Sequence, residues 1–515
     1  MPTRPHSGFS TLELLIAMTV LTLSISAVLL MRPATLVDTE TEVEALNLAQ
    51  GLIEHEQALA RKDFALVVPT TTLEVSGPIT YTSRFDVSVS PDNMTKKVVA
   101  TVSWHAQYGR TSHISLTTLV TNFTDGTGLN TCSSVLVGDW RHPLVQNPTT
   151  SLGALIGDSV GTYTITGVDA YHGSLYVTTT TNNPSNKTFF IFTLPSTGNP
   201  ALLASLDTTG ASVSSGAAAV TVATARGHTY AYVASAYGAN FTSCAVRASC
   251  AQMQIVDVTD PASPVLKVNY KIPPTQVTGS AGSAAGNTVF YADGYLYLGL
   301  TKTTTGPEFN IIDVHDPLNP TWVGGYVIGY TVNAIVVRDG VAYVAHRTTS
   351  SATIQEQVTV LDVHDSTHPT RVSGYHAPDN DGAGNRLYLL GDALFFGRTD
   401  SELTHDDEWY LLNAANPTKL ATNNPNTPQP PGVKFTSTVS GVAARDFLAF
   451  VLTGTASKPG SLAVFDIANP LALDVYASLS LPSSSSGAAL DCEGNTIVVG
   501  SNDVANKGYL SMIHP

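Results

Sequence analysis

The side chains of this chain that have chemistry to offer are few and far apart. Gly157-Asp158-Ser159-Val160-Gly161 has the G-x-S-x-G spacing that raises a nucleophilic serine above an α/β sheet. That chemistry needs a strand-to-helix elbow. The flanking residues read instead as a loop leaving a strand in an all-β region, so no hydrolase is expected. Asp379-Asn380-Asp381-Gly382 sets carboxylates before a glycine, as at the opening of a calcium loop, but no closing Glu follows. Asp379 and Asp381 are candidate calcium ligands, with solvated loop charge as the plainer alternative. Asp406, Asp407 and Glu408 form a second acidic cluster with the same two readings. The 14 histidines show no metal-ligand spacing. No cofactor other than calcium is implied, and without a catalytic constellation the chain is not expected to be an enzyme.

The cysteines are Cys132, Cys244, Cys250 and Cys492, with no C-x-x-C pair among them. Five residues separate Cys244 from Cys250, enough to close a small disulfide ring in one loop. Cys132 and Cys492 are placed by the repeat described below at one face, where a bridge would lock the two ends of the domain. Four free thiols are the alternative, disfavoured outside the cytoplasm.

Composition narrows the elements that position these residues. Charged residues are 13% of the 515 and hydrophobic ones 43%, which excludes a disordered chain. A net charge of −15 argues against nucleic-acid binding, which needs basic surface. Forty glycines and 29 prolines between short apolar runs have the texture of an all-β protein.

The chain repeats itself. Ile255-Val256-Asp257-Val258-Thr259-Asp260-Pro261 returns as Ile311–Pro317, Val360–Asp365, Leu411–Asn413 and Val464–Pro470. The central positions 257, 313, 362, 413 and 466 are 56, 49, 51 and 53 residues apart, a blade-sized period. Recurrence of Asp257, Asp313, Asp362 and Asp466 assigns them to turn capping rather than catalysis. One unit reads as strands Val332–Arg338, Val341–His346, Val358–Val363 and Arg371–Tyr375. Four antiparallel strands per repeat predict a β-propeller. Seven first hairpins centre near His172-Gly173, Arg226-Gly227, Asp293-Gly294, Asp339-Gly340, Gly391-Asp392, Arg445-Asp446 and Glu493-Gly494. The last unit stops after its third strand. Asn147–Gly157 matches the fourth strand Asn319–Gly329 and is expected to close the ring. The units resemble LVIVD repeats, whose apolar third strand ends in an Asp-rich turn.

Ahead of the repeats, Phe9–Met31 is apolar and long enough to span a bilayer, with Glu13 its one charge. Pro33 should break that helix, and a more polar one is predicted from about Thr35 to Arg61, with Val43, Leu46, Ala49 and Ile53 on one face. Phe85–Val89, Val98–Trp104 and Ile114–Thr118 alternate as a meander on which that face lies. Asp125-Gly126-Thr127-Gly128 reads as a linker.

Gly8-Phe9-Ser10-Thr11-Leu12-Glu13 resembles the processing site of type IV prepilins and type II secretion pseudopilins. The resemblance implies cleavage after Gly8 by a prepilin peptidase, N-methylation of Phe9, and pairing of Glu13 with a neighbouring subunit's N-terminus. The expected organisation is a leader 1–8, a pilin-like stalk 9–124 with a long helix and small antiparallel sheet, a linker 125–132, and a seven-bladed propeller 133–515. The expected role is a minor pilin-like subunit that starts in the cytoplasmic membrane and shows its propeller at the tip of an extracellular filament. Its partners would be other pilin subunits, the peptidase, the inner-membrane assembly machinery and a surface receptor. The alternative is a pseudopilin-like component of a secretion or DNA-uptake machine, with the propeller on cargo.

Overall fold

The computed structural model describes residues 41–56, 67–76, 79–89, 95–105, 111–121, 136, 138–146 and 150–515. The last span excludes 159–160, 182–186, 197, 208–215, 236–250, 280–282, 348–355, 378–381, 401–406, 421–431, 456–458, 469–472 and 482–484. Gly8, Phe9, Glu13, Cys132, Cys244, Cys250, Asp379, Asp381 and Asp406 therefore lie outside the described residues. So do the predicted turns at Ser90–Asn93 and Tyr108–Arg110. Among the described residues no helix is long and apolar enough to cross a membrane. Two compact units divide at Thr124 and Asp125.

In the first unit a helix, residues 41–56, packs on a four-stranded antiparallel sheet of Thr71–Ser76, Ile79–Val89, Thr95–His105 and Thr111–Thr121 in chain order. The buried stripe runs through Ala45 and Ala49, flanked by Leu48 and Leu52. This is a rotation from the predicted face: Val43 is 52% exposed. On the sheet the Tyr81 and Trp104 rings, 6.0 Å apart, share a cluster with the small Ala45 and Ala49 side chains and the Leu48 and Leu52 side chains beside them. The Tyr81 hydroxyl donates to Glu44 (3.1 Å). The strand Thr71–Ser76 was not anticipated; its Leu73 is exposed, so it carries no alternating apolar pattern.

The second unit is mainly β: seven four-stranded antiparallel sheets among the described residues, in a repeated-blade, propeller-like arrangement. The blades are Thr164–Leu206, Ala217–Tyr270, Gly286–Tyr326, Val332–Tyr375, Gly384–Val433 and Val439–Ser480, here blades 1 to 6. Blade 7 joins Ser486–His514 to Leu144–Gln146. The first strand of each blade packs against that of the next, and the seventh returns to the first. Seven apolar clusters fill the interfaces, one between each neighbouring pair. Second and third strands are covered on both faces and read as near-continuous apolar runs, such as Leu394–Phe396 and Phe189–Phe192. Fourth strands are wetted on one side and alternate, as in Val265–Tyr270.

Turn chemistry sets the register. In blades 1 to 4 both residues of the first hairpin turn have positive φ: His172-Gly173, Arg226-Gly227, Asp293-Gly294 and Asp339-Gly340. Gly294 and Gly340 are required twice over, because a Cβ would strike the His315 and His364 rings. In blades 6 and 7 the turns fall one residue later than predicted. Arg445 pairs with Leu448 and Glu493 with Thr496, so Asp446-Phe447 and Gly494-Asn495 are the turn residues. Burial of Phe447 fixes the first of these shifts.

Ring closure is also displaced from its predicted strand. Leu144, Val145 and Gln146 pair with His514, Ile513 and Met512. Among the described residues of that stretch, 150–157, Ser151 alone contributes a bridge, to Tyr509, before the chain turns into a short helix, Leu152–Leu155. Ser151 caps that helix by accepting from the Ala154 N–H, and Leu152 is wholly buried between blades 7 and 1. An inward-pointing leucine thus replaces the expected edge strand.

The chain reaches the ring on the face carrying the short turns. The Leu136 N–H donates to Asp446 in the first turn of blade 6 (2.8 Å), and Trp140 packs edge-on against Phe450. Cys492 lies in the same apolar cluster as Leu136 and Trp140, is 1% exposed, and is disulfide-bonded to a partner outside the described residues. Peptide mapping of non-reduced protein should identify a Cys132–Cys492 link, with a separate Cys244–Cys250 ring. Reduction of the long-loop bridge should cost about 3–5 kcal/mol of stability by the chain-entropy account, measured as a lowered denaturation midpoint. A Cys492 link to Cys244 or Cys250 would overturn this pairing.

Candidate functional site

The inner strands begin on the face opposite the short turns, and each opens with the same irregularity. The register slips after the first residue or two, leaving Thr166, Ala218, Asn287, Asn333, Asn385, Ser440 and Ala488 as the bulged residues of blades 1 to 7. A bulge re-aims its side chain. These seven residues line one cavity of about 590 Å³ at the mouth of the central channel, with Arg386, Thr438, Thr455 and Ser486 beside them.

The bulged side chains also tie blade to blade. Asn287 Nδ2 donates to the Val332 carbonyl, Asn333 Nδ2 to Gly384 and Asn385 Nδ2 to Val439, each at 2.7 Å. Thr166 donates to Ala217 (2.6 Å). Asn502 closes the circle by donating to Ile165 O and accepting from Ile165 N. Arg386, one residue past its bulge, spans two interfaces: Nε donates to Ser440 O (2.7 Å), Nη2 to Ala488 O (3.2 Å) and Nη1 to Asn385 O (3.0 Å). Desolvation lowers the guanidinium pKa, though arginine stays charged at any ordinary pH.

Further along the inner strands lies a carboxylate pair. Asp491 accepts from Ala170 N–H (2.6 Å) and Asp169 from Val222 N–H (3.1 Å), linking blades 7, 1 and 2. Burial pushes Asp491 up to about 7, and burial plus the Asp491 charge holds Asp169 well above the carboxylate range. Glu493 adds to the repulsion on both while accepting from Gly173 N–H.

The carboxylates singled out in the sequence have other work. Asp257, Asp313, Asp362 and Asp466 each accept from the N–H two residues on, as turn caps. In blades 3 and 4 the same oxygen also meets His315 or His364 Nδ1 at 2.8 Å. Asp158 of the G-x-S-x-G run accepts from Gly161 N–H and from the Tyr163 hydroxyl (2.6 Å), and Ser159 is outside the described residues. The reading of Asp407 and Glu408 as solvated charge is corrected. Glu408 is wholly buried and accepts from Phe435 N–H (2.6 Å), and burial raises the Asp407 pKa. Glu408 belongs to a series not recognised in the sequence. Gln252, Glu308, Gln357 and Glu408 each precede a third strand, are buried, and hold the chain leaving the fourth strand through Ile272, Gly329, Ala377 and Phe435 N–H groups. The channel ring was also missed. Its sequence signal is an Asn two residues into the first strand of three consecutive units, at 287, 333 and 385.

No family model matches the chain, and no curated protein matches it. Among solved structures it is similar to a quinonprotein alcohol dehydrogenase-like protein from Bacteroides thetaiotaomicron, with TM-score 0.41 and 10% identity over 80% of this chain and 88% of that one. It is similar to the periplasmic gluconolactonase of Pseudomonas aeruginosa, with TM-score 0.35 and 10% identity over 71% and 95%. It is also similar to a puromycin-hydrolyzing peptidase of Mycobacterium tuberculosis, with TM-score 0.32 and 11% identity over 84% and 59%.

The carboxylate pair makes stability depend on pH. An acid whose pKa rises on folding binds its proton more tightly in the folded state. Its effect is nil below the unfolded value near 3.9 and increasingly destabilising as pH rises to about 7. Asp491→Asn keeps an acceptor for Ala170 N–H and removes the charge. It should raise stability at pH 8 by about 1 kcal/mol or more and leave it little changed at pH 4, read from denaturant midpoints across that range.

Proposed function

We propose that this chain is a minor, pilin-like subunit that displays its propeller on a type IV pilus or related filament for adhesion or surface recognition. The observation that carries the reading is Gly8-Phe9-Ser10-Thr11-Leu12-Glu13 at the head of the apolar stretch Phe9–Met31. A carboxylate there is costly in hydrocarbon unless a positive group meets it. The N-terminus of a neighbouring subunit freed by cleavage would meet it. The first unit supports the reading with a helix on an antiparallel sheet. The second supports it through its entry point. Leu136 and Leu144 run along the short-turn face, so the crossover loops and channel mouth occupy the opposite face. Loops on a rigid scaffold are where recognition resides.

Gly8→Asp should leave the leader uncut, and Glu13→Ala should be cut but enter filaments poorly, both read by immunoblot of membrane and sheared fractions. Immunogold labelling should mark filament tips, whereas labelling confined to the envelope would favour a secretion or uptake machine. Shortening the Ala236–Gln252 and His376–Asn385 loops should abolish adhesion with piliation intact. Filament entry by an uncut Gly8→Asp protein would refute the pilin reading.

A further inference from the structure

We infer that the mouth of the central channel binds a carboxylated sugar, with the carboxylate on Arg386 and the sugar hydroxyls on the ring of bulged residues. This goes beyond the filament reading and does not rest on it, since it concerns the propeller whatever carries it.

Charge points to an anion. The chain has a net charge of −15, and its other paired arginines meet carboxylates: Arg84 with Asp86, Arg226 with Asp316, Arg338 with Asp392, Arg371 with Glu356. Among the described residues Arg386 meets none. Its three hydrogen bonds all go to main-chain carbonyls. A guanidinium has five N–H donors in a planar fork suited to a carboxylate, so donors on both Nη atoms remain. Carbonyl dipoles hold the group in place but bring no formal negative charge to it, and at a half-buried cavity wall pairing with an anion is worth more than at the open surface.

The lining points to a sugar. The cavity is of small-molecule size but is walled by amides and hydroxyls rather than by aromatic rings. Asn287 Nδ2 reaches Val332 O and, at 3.4 Å, Asn333 Oδ1, while Asn333 and Asn385 Nδ2 each spend one N–H on the next blade and keep a second; Oδ1 of Asn287 and Asn385 can accept. The Thr166 and Ser440 hydroxyls donate to Ala217 and Leu452 carbonyls, so their oxygens also accept. One cation set among amides and hydroxyls that both donate and accept suits a single carboxylate on a body of hydroxyls, which do the same. Among the described residues the lining holds no second cation, so a singly charged carboxylate matches it better than inorganic phosphate, which carries more charge near neutral pH.

Isothermal titration of the full chain in detergent tests this with D-glucuronate, D-galacturonate and N-acetylneuraminate, with D-glucuronamide, D-galacturonamide and inorganic phosphate as controls. At least one acid should bind saturably. For glucuronate or galacturonate the matching amide should bind at least tenfold more weakly, and Arg386→Gln should lose binding by a similar factor. Because Arg386→Gln also removes bonds between blades, Ala218→Phe provides a second variant. It fills the mouth without touching those bonds, and it should abolish binding while the melting temperature is retained. Failure of all three acids to bind, equal affinity for acid and amide, or phosphate binding as tight as the acids would overturn the inference, as would undiminished binding by a folded Ala218→Phe protein.

Discussion

Every blade of the second unit is apolar on both faces, so none is stable until both neighbours cover it. The seven clusters that hold the unit together each lie between two blades rather than inside one. Such a structure is only as secure as its last interface. That interface is completed by three residues from the start of the unit, Leu144–Gln146, paired with three from its end. The buried Leu152, the capped turn that follows it, and the disulfide at Cys492 are all concentrated at this seam. Loop closure over so long a segment is entropically costly, and covalent or densely packed closure reduces that cost in the folded ring.

Polar groups near the axis follow from the same constraint. Inner strands have no fifth strand to pair with, so their main-chain groups beside the channel need other partners. Asparagine at the bulge supplies a donor to the next blade's carbonyl, and aspartate further along supplies an acceptor to the next blade's N–H. The Gln/Glu series before the third strands does the same for the crossover segments. Side chains thus complete a hydrogen-bond network that the ladders leave unfinished.

What could be read from the sequence follows from this division of labour. Contacts within a blade are local, and their signals are periodic: the strands Val332–Arg338 and Val341–His346 match their predicted bounds, and the Asp-Gly turns fall where expected. Contacts between residues distant in sequence carry no such signal, and there the structure departs from the reading. Glu408 looked like one more loop charge, because nothing in its neighbours announces Phe435, 27 residues on. Of the predicted helix face Ala49 and Ile53 do meet the sheet, but Val43 does not, and the rings that Ala45 and Ala49 pack on, Tyr81 and Trp104, are distant in sequence. The closing strand was assigned to the right blade but to the wrong residues, since similarity to Asn319–Gly329 carried no information about the pocket that takes Leu152.

The distribution of charge along the axis has a consequence of its own. Counted from the bulges, Arg386 stands one residue in and Asp169 and Asp491 three residues in, so the cation lies nearer the mouth. If both carboxylates were ionised, they would set negative charge behind that cation and weaken its hold on any anion. Burial instead favours their protonated forms, which still accept from Ala170 and Val222 N–H groups through the carbonyl oxygen. The desolvation that makes the pair an increasing liability as pH rises toward 7 thereby preserves the positive character of the channel mouth below it.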